Sequence, residues 1–281
     1  MSGGWFGRRA RSRPAESVPD GIAQKCEGCE QIVFVRELER NLKVCPRCGH
    51  HHRMSARERV DITVDPGSFE ETDGNLVSVD PLRFPEYPEK LEKARQATGL
   101  SEAMLTGRAT IEEIPLIIGV ADFGFMGGSM GSVYGEKVAR AFERAAEEGK
   151  SVVLFSASGG ARMQEGLLAL MQMAKTAAAV EKAREAGVAF VSVLTSPTTG
   201  GVFASYASLG DVVLAEPGAI VGFAGRRVGQ QELGGQLPPN FQTSEFQYEH
   251  GFVDRIVNRK DMRRTLGFLL RFFAEAGQHG G

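Results

Sequence analysis

Ser151-Val-Val-Leu-Phe-Ser-Ala-Ser-Gly-Gly-Ala-Arg-Met-Gln-Glu165 runs from an unbroken apolar stretch into a serine-flanked glycine pair. Val152 to Phe155 carry no polar alternation and are too few for a helix, which predicts a short strand buried on both faces. A long helical pattern follows over 163–186 and stops at Gly187, a residue suited to the left-handed helix end. Strand, glycine turn and helix in that order are the unit of an α/β layer.

The unit repeats on either side. Downstream, Val188 to Leu194 reads as a strand that enters Thr199-Gly-Gly and a short helix through Leu209. Asp211-Val-Val-Leu-Ala and Ala219-Ile-Val-Gly-Phe then supply two more strands. Upstream, Ala109-Thr-Ile and Ile114-Pro-Leu-Ile-Ile-Gly-Val-Ala read as paired strands, with a helix over 132–148 ended by Gly149. An amphipathic helix over about 262–276 closes the chain. Residues 101–281 are therefore expected to form one α/β domain. Residues 53–100, with Pro66, Pro81, Pro85 and Pro88 among charges, read as a connector with short helices. Residues 1–22, rich in arginine and proline, read as a mobile tail.

Residues 23–52 hold all four cysteines of the chain. Cys26-x2-Cys29, fifteen residues, then Cys45-x2-Cys48 is the spacing of two knuckles that aim four thiolates at one zinc ion. Four sulfurs leave no open coordination position, so the expected metal is structural and the module depends on it to fold. Clustered cysteines without disulfide spacing suit a reducing, cytoplasmic compartment. No stretch has the roughly 18 consecutive apolar residues of a membrane helix. Net charge is −2, but residues 1–60 carry twelve Lys and Arg against seven Asp and Glu, leaving the remainder acidic. A basic front end beside a zinc ribbon admits nucleic-acid binding as a side activity, although it leaves the large domain without a purpose.

The glycine pairs Gly159-Gly160 and Gly200-Gly201 each follow a strand. Bare backbone there lets amides approach a ligand, and two converging N–H groups can stabilise an oxyanion such as a thioester enolate. Asp122-Phe-Gly-Phe-Met-Gly-Gly-Ser-Met-Gly-Ser adds a third glycine-rich stretch, with Gly127 and Gly128 positioned to lie under a flat ligand. No Asp, Glu or His stands among the glycines as an obvious general base. A serine hydrolase is disfavoured because the Gly-x-Ser-x-Gly elbow is absent around Ser156 and Ser158.

Asp122–Lys137, Phe155–Gly166 (Phe-Ser-Ala-Ser-Gly-Gly-Ala-Arg-Met-Gln-Glu-Gly) and Gly222-Phe-Ala-Gly-Arg-Arg-Val, together with the four-cysteine ribbon, closely resemble the beta subunits of bacterial and plastid acetyl-CoA carboxylase carboxyltransferases. The resemblance covers roughly 23–275. It implies a crotonase-like (ClpP/crotonase) β-β-α spiral with an N-terminal zinc ribbon. It also implies transfer of a carboxyl group from carboxybiotin on a carrier protein to acetyl-CoA, giving malonyl-CoA for fatty acid synthesis. An alpha subunit, in an alpha2beta2 arrangement, a biotin carboxyl carrier protein and an ATP-using biotin carboxylase are the implied partners. Thioester stabilisation falls to Gly159 or Gly160 with Gly200 or Gly201, and the biotin-side oxyanion hole to the alpha subunit. Gly127, Gly128, Arg162 and Arg226 are the candidates for contact with coenzyme A. Tyr134 and Thr199 depart from the family pattern, which has a small residue or Val and a Met at those places. The alternatives are another acyl-CoA such as propionyl-CoA as acceptor, a zinc-ribbon nucleic-acid-binding protein, and a self-sufficient hydratase or isomerase, which would need a glutamate pair at the thioester.

Overall fold

The structure is a computed structural model and describes residues 22–223, 237–238 and 240–278. Three consecutive central strands, β5 (Ile114–Ala121), β6 (Ser151–Ser158) and β7 (Phe190–Thr199), run parallel, with Val120 opposite Phe155 and Val153 opposite Val191. Their apolar runs are buried on both faces, as the missing alternation requires. β4 (Met104–Ile111) precedes β5 as a hairpin whose two turn residues, Glu112 and Glu113, both have left-handed φ. β3 (Glu70–Thr72) adds an antiparallel edge to β4. β8 (Val212–Ala215) and β10 (Arg255–Ile256) extend the other side in parallel, giving the order β10-β8-β7-β6-β5-β4-β3.

Helices cover both faces. α4 (Ser132–Glu148) packs on β4, β5 and β6, with Val138 and Phe142 in the core and Phe142 edge-on to Phe190 at 4.9 Å. Burying each such side chain contributes about 1.5–3 kcal/mol. The opposite face takes α2 (Ala56–Thr63) and the last helix, α8 (Arg259–Gln278), which contributes Met262, Leu266 and Leu270. α2 starts with a reciprocal capping box between Ser55 and Glu58, so its first turn is fixed by its own sequence. α3 (Tyr87–Thr98) buries Tyr87, Leu91 and Ala94, and the short α7 (Ser244–Glu249) buries Ser244 and Gln247.

The helix expected over 163–186 is split. Met163–Glu165 form one 3-10 turn, Gly166 breaks it at φ 50°, and α5 runs from Gly166 to Glu185. The Gly159-Gly160 pair therefore does not open a helix; a bridge and a tight turn lie between. α5 packs on α4 rather than on the sheet, and the two helices touch where Gly135 leaves room for Gln172. The outer side of that turn and of α5 stays open: Met163 in the turn is 82% exposed, and Leu167 and Met171 on α5 are 76% and 61% exposed.

β7 is the element that shapes the site. Its first half pairs with β8; then its register to β6 jumps between Leu194 and Thr198 while β6 advances only from Ser156 to Ser158. Three residues, Thr195 to Pro197, stand opposite Ala157 alone, so the strand bulges and its end swings onto a new neighbour, β9 (Val221–Gly222). The hydroxyls of Thr195 and Thr198 both donate to the Ser156 carbonyl at 2.8 Å, holding the bend.

The cysteine module has its own small core, Cys26, Val33, Leu38 and Cys45, around β1 (Ala23–Lys25), β2 (Ile32–Phe34) and α1 (Val35–Arg40). It is tied to the far end of the chain, where Arg259 donates to the Leu42 carbonyl at 2.9 Å.

Candidate functional site

The four cysteines converge. Their sulfurs lie within 4.8 Å of one another, all are free thiols, and Cys26 and Cys48 Sγ stand 3.8 Å apart. A tetrahedron with Zn–S bonds of about 2.3 Å has edges of about 3.8 Å, so the donor set fits zinc. The two knuckles are copies of one turn. The Cys26 amide donates to Gln31 O and accepts at its carbonyl from Glu30; Cys45 does the same with His50 and Gly49, each bond 2.8–2.9 Å. Glu30 and Gly49 take left-handed φ at matching positions. The Gly28 amide additionally donates to Cys26 Sγ.

The three glycine-rich stretches meet at the ends of β5, β6 and β7. Met126, Gly127 and Gly128 are all left-handed, with φ of 48°, 67° and 62°. A side chain at Gly128 would collide with the Ala157 carbonyl, since its Cβ would fall 2.0 Å from that oxygen. Gly159 N–H donates to Gly127 O, Met130 N–H to Gly160 O and Arg162 N–H to Met130 O, which zips the first two loops together. The third closes on the second: a Cβ on Gly200 would lie 2.9 Å from Gly160 Cα. Thr199 Oγ1 donates to Ser158 O at 3.1 Å and fastens that contact.

This geometry sorts the expected donors. The Gly159 amide is committed to Gly127 O, and the Gly160 amide to Ser158 Oγ at 3.0 Å, so neither is available to a substrate oxygen. That pair shapes the loop. Gly200 and Gly201 instead begin the four-residue helix α6 (Gly200–Phe203), where the first N–H groups have no intrahelical acceptor. The Gly201 N–H therefore has no acceptor within α6, while Gly200 also follows the residue that pairs with Gly222 of β9.

Arg162 is corrected more strongly. It is fully buried and clamped onto Glu102, Nη1 to Oε2 at 2.8 Å and Nη2 to Oε1 at 2.5 Å, with further bonds to Ser129, Ser78 and Tyr87. No N–H is left for a phosphate. Glu165, also buried, accepts from Tyr87 Oη at 2.5 Å and from the Ser132 amide at 2.6 Å. The pair holds the glycine loops from beneath. Hydrogen bonds and charge from Arg162 keep the Glu102 carboxyl below its usual range against the opposing effect of burial.

Tyr134, a departure from the family pattern, is buried and shares a 2.7 Å hydrogen bond with Tyr206, which meets Ser156 Oγ at 3.2 Å. Burial raises both phenols, Tyr206 to about 12, so they act as neutral props under β6. Arg226 lies outside the described residues.

A groove of ≈ 550 Å³ runs from Lys90 and Lys93 of α3 over Phe123 and Met126 to Gly127 and Gly159. Sequence reading missed its α3 wall, because single lysines on a helix face resemble ordinary solvated surface. Among the described residues no helix is long and apolar enough to cross a membrane.

Comparison with known proteins agrees with this architecture. Residues 50–261 match the carboxyl transferase domain family and residues 24–48 the acetyl-CoA carboxylase zinc finger domain. The acetyl-coenzyme A carboxylase carboxyl transferase subunit beta of Desulforamulus reducens is 55% identical over 253 residues, covering 90% of this chain and 88% of that protein. The protein of the same name from Pelotomaculum thermopropionicum is also 55% identical, over 90% of this chain and 89% of its own length. Among solved structures, a transcarboxylase 12S core superposes with TM-score 0.67 at 24% identity, over 83% of this chain but only 42% of that one. A Pseudomonas malonate decarboxylase hetero-tetramer gives TM-score 0.62 at 25% identity over 79% and 82%. The domain is crotonase-like α/β with a zinc ribbon. With three quarters of its length in the carboxyl transferase domain and its cysteines in the matching zinc finger, the chain belongs to the family of acetyl-CoA carboxylase carboxyltransferase beta subunits.

Proposed function

We propose that this chain is the acyl-CoA half of a carboxyltransferase that moves a carboxyl group from carboxybiotin to acetyl-CoA, forming malonyl-CoA for fatty acid synthesis. The observation that carries the reading is the start of α6 at Gly200 and Gly201, whose amides have no intrahelical acceptor, held against Gly160 at the mouth of the zipped loops. Loss of the α-proton puts negative charge on the thioester oxygen, and two fixed N–H donors stabilise that charge more than the neutral carbonyl. The released ureido anion of biotin takes the proton, which fits the lack of a carboxylate or imidazole among the glycines. Coenzyme A is assigned to the groove, its acyl end toward Gly127 and Gly159 and its phosphates toward Lys90 and Lys93.

The zinc ion, held by Cys26, Cys29, Cys45 and Cys48, supplies structural cohesion to the ribbon and no open coordination site. The second oxyanion hole, for biotin, belongs to an alpha subunit, with alpha2beta2 as the proposed assembly. The open apolar side of α5 is the surface we assign to that partner, since so many exposed Leu and Met side chains on one helix are unusual in a monomer. The biotin carrier and an ATP-using biotin carboxylase complete the cytoplasmic cycle. Nucleic-acid binding by the ribbon is a side activity of the same proposal, to be seen as affinity that falls steeply with salt.

The test is direct. Chain, alpha subunit and carboxylated biotin are mixed with acetyl-CoA or propionyl-CoA and the products are separated. Malonyl-CoA formed only when both subunits are present is the expected result. Turnover by this chain alone, or preference for propionyl-CoA, refutes the corresponding part.

A further inference from the structure

Beside the glycine loops lies a second cavity, small and recessed, that the carboxyl transfer does not use. It sits where the ribbon's exit, α2, α8 and the strand ends meet, against Ala157, Thr195 and Ser196. Its charged wall is unbalanced. Glu216 accepts from Arg259 through Nε at 2.8 Å and Nη2 at 2.7 Å, and Arg59 Nη1 stands 2.8 Å from its Oε1. Two guanidiniums thus share one carboxylate, with side chains only 2–5% exposed. Among the described residues no other carboxylate lines the cavity, while Arg53 adds a further cation at the rim.

The donors are also unspent. Arg59 Nη1 and His51 Nδ1 both stand near Glu216, at 2.8 Å and 3.4 Å, yet are misaligned for a hydrogen bond, and His51 Nε2 and His52 Nε2 are buried with no hydrogen-bond partner. Native interiors rarely leave four such atoms in one place without a ligand or an ordered water. An unmatched buried charge is costlier still than an unmatched dipole. Burial pushes the Arg59 guanidinium below its ordinary value, and the adjacent Arg259 acts in the same direction, even with Glu216 in contact. The contrast with Arg162 is instructive: there one guanidinium meets two carboxylates, Glu102 and Glu165, and every N–H is used. The space, ≈ 20 Å³, suits a single small occupant.

We propose that this cavity is a binding site for one halide-sized monovalent anion, coordinated by Arg59, His51 and His52 and neutralising the excess charge of the Arg59–Glu216–Arg259 cluster. Bound there, the anion bridges the ribbon's exit to α2 and braces the bases of both glycine loops through Ala157 and Thr195. The inference does not depend on the carboxyl-transfer reading, because its readouts need neither substrate nor partner.

The zinc-loaded full chain is compared in sodium bromide and sodium gluconate at equal ionic strength, and crystals grown in bromide are measured at the bromine edge. A saturable rise in Tm with bromide and an anomalous peak inside the cavity are expected. In Arg59→Met, which leaves a one-to-one Glu216–Arg259 pair, the bromide-dependent rise should vanish. Should that variant fail to fold, the peak in the parent protein decides. Water alone in the cavity, a Tm rise that never saturates or persists in the variant, or a peak without stabilisation in solution overturns the proposal.

Discussion

Replacing Gly200 by alanine tests the contact on which the site depends. Gly200 sits at φ 61°, so any side chain there costs about 1–2 kcal/mol in backbone conformation alone. The new Cβ would also lie 2.9 Å from Gly160 Cα and 3.5 Å from Gly159 O. Backbone cannot swing aside as a flexible side chain can, so the two loops must separate by several tenths of an ångström. Overpacking of this kind adds about 1–3 kcal/mol. A total of about 2–5 kcal/mol lowers Tm by roughly 5–15 °C for a chain of this size. The same separation moves the Gly200 and Gly201 amides, and loss of one well-placed donor costs about 10²–10³ in kcat. Gly149→Ala is the control: φ is 60°, but nothing lies within 4 Å of its Cβ, so it carries the conformational cost without the collision. Malonyl-CoA formation with the alpha subunit and calorimetry of both variants are the assays. If Gly200→Ala keeps kcat within threefold of the parent, the oxyanion assignment is wrong. If it loses no more stability than Gly149→Ala, the close approach is wrong.

Glu102→Gln leaves Arg162 buried without its full counter-charge and should cost about 3–5 kcal/mol in denaturant unfolding, while Lys93→Ala, in the groove, should raise KM for acetyl-CoA with little change in Tm. Leu167→Glu with Met171→Glu should weaken association with the alpha subunit at least tenfold in sedimentation, leaving the fold of this chain unchanged. Asp65 is held at about 2, chiefly by the Thr110 hydroxyl, then by the Glu113 and Glu112 amides and Arg263. A depressed carboxyl stabilises above its unfolded pKa and loses that contribution as pH falls through the folded value. The stability gap between parent and Asp65→Asn should therefore hold above pH 4 and close toward pH 2 in urea titrations.

The buried strands were readable because continuous Val, Leu and Phe at 152–155 leave no polar face, and Gly149 because a left-handed helix end has few other solutions. The zinc ligands were readable because ligand spacing is local. Arg162 was not. Beside Glu165 it looks like a surface pair, and its real partner, Glu102, is sixty residues away and brought in only by the sheet. The bulge at Thr195 to Pro197 was equally hidden, since it is defined by the offset between two strands and not by either one. Local chemistry can nominate glycines as donors, but which amide is free depends on acceptors elsewhere: Gly127 O claims Gly159, whereas Gly200 and Gly201 open a helix that offers their amides no acceptor of its own.

Arg259 grips Glu216 and the Leu42 carbonyl together, so a residue near the end of the chain fastens a module near its start. During synthesis the cysteines leave the ribosome long before that clasp exists. Metal capture is thus a local event that can finish early, whereas seating of the ribbon must wait for the final helix. A chain ending at residue 258 should still take up zinc, yet its ribbon should show faster amide hydrogen exchange than in the intact protein.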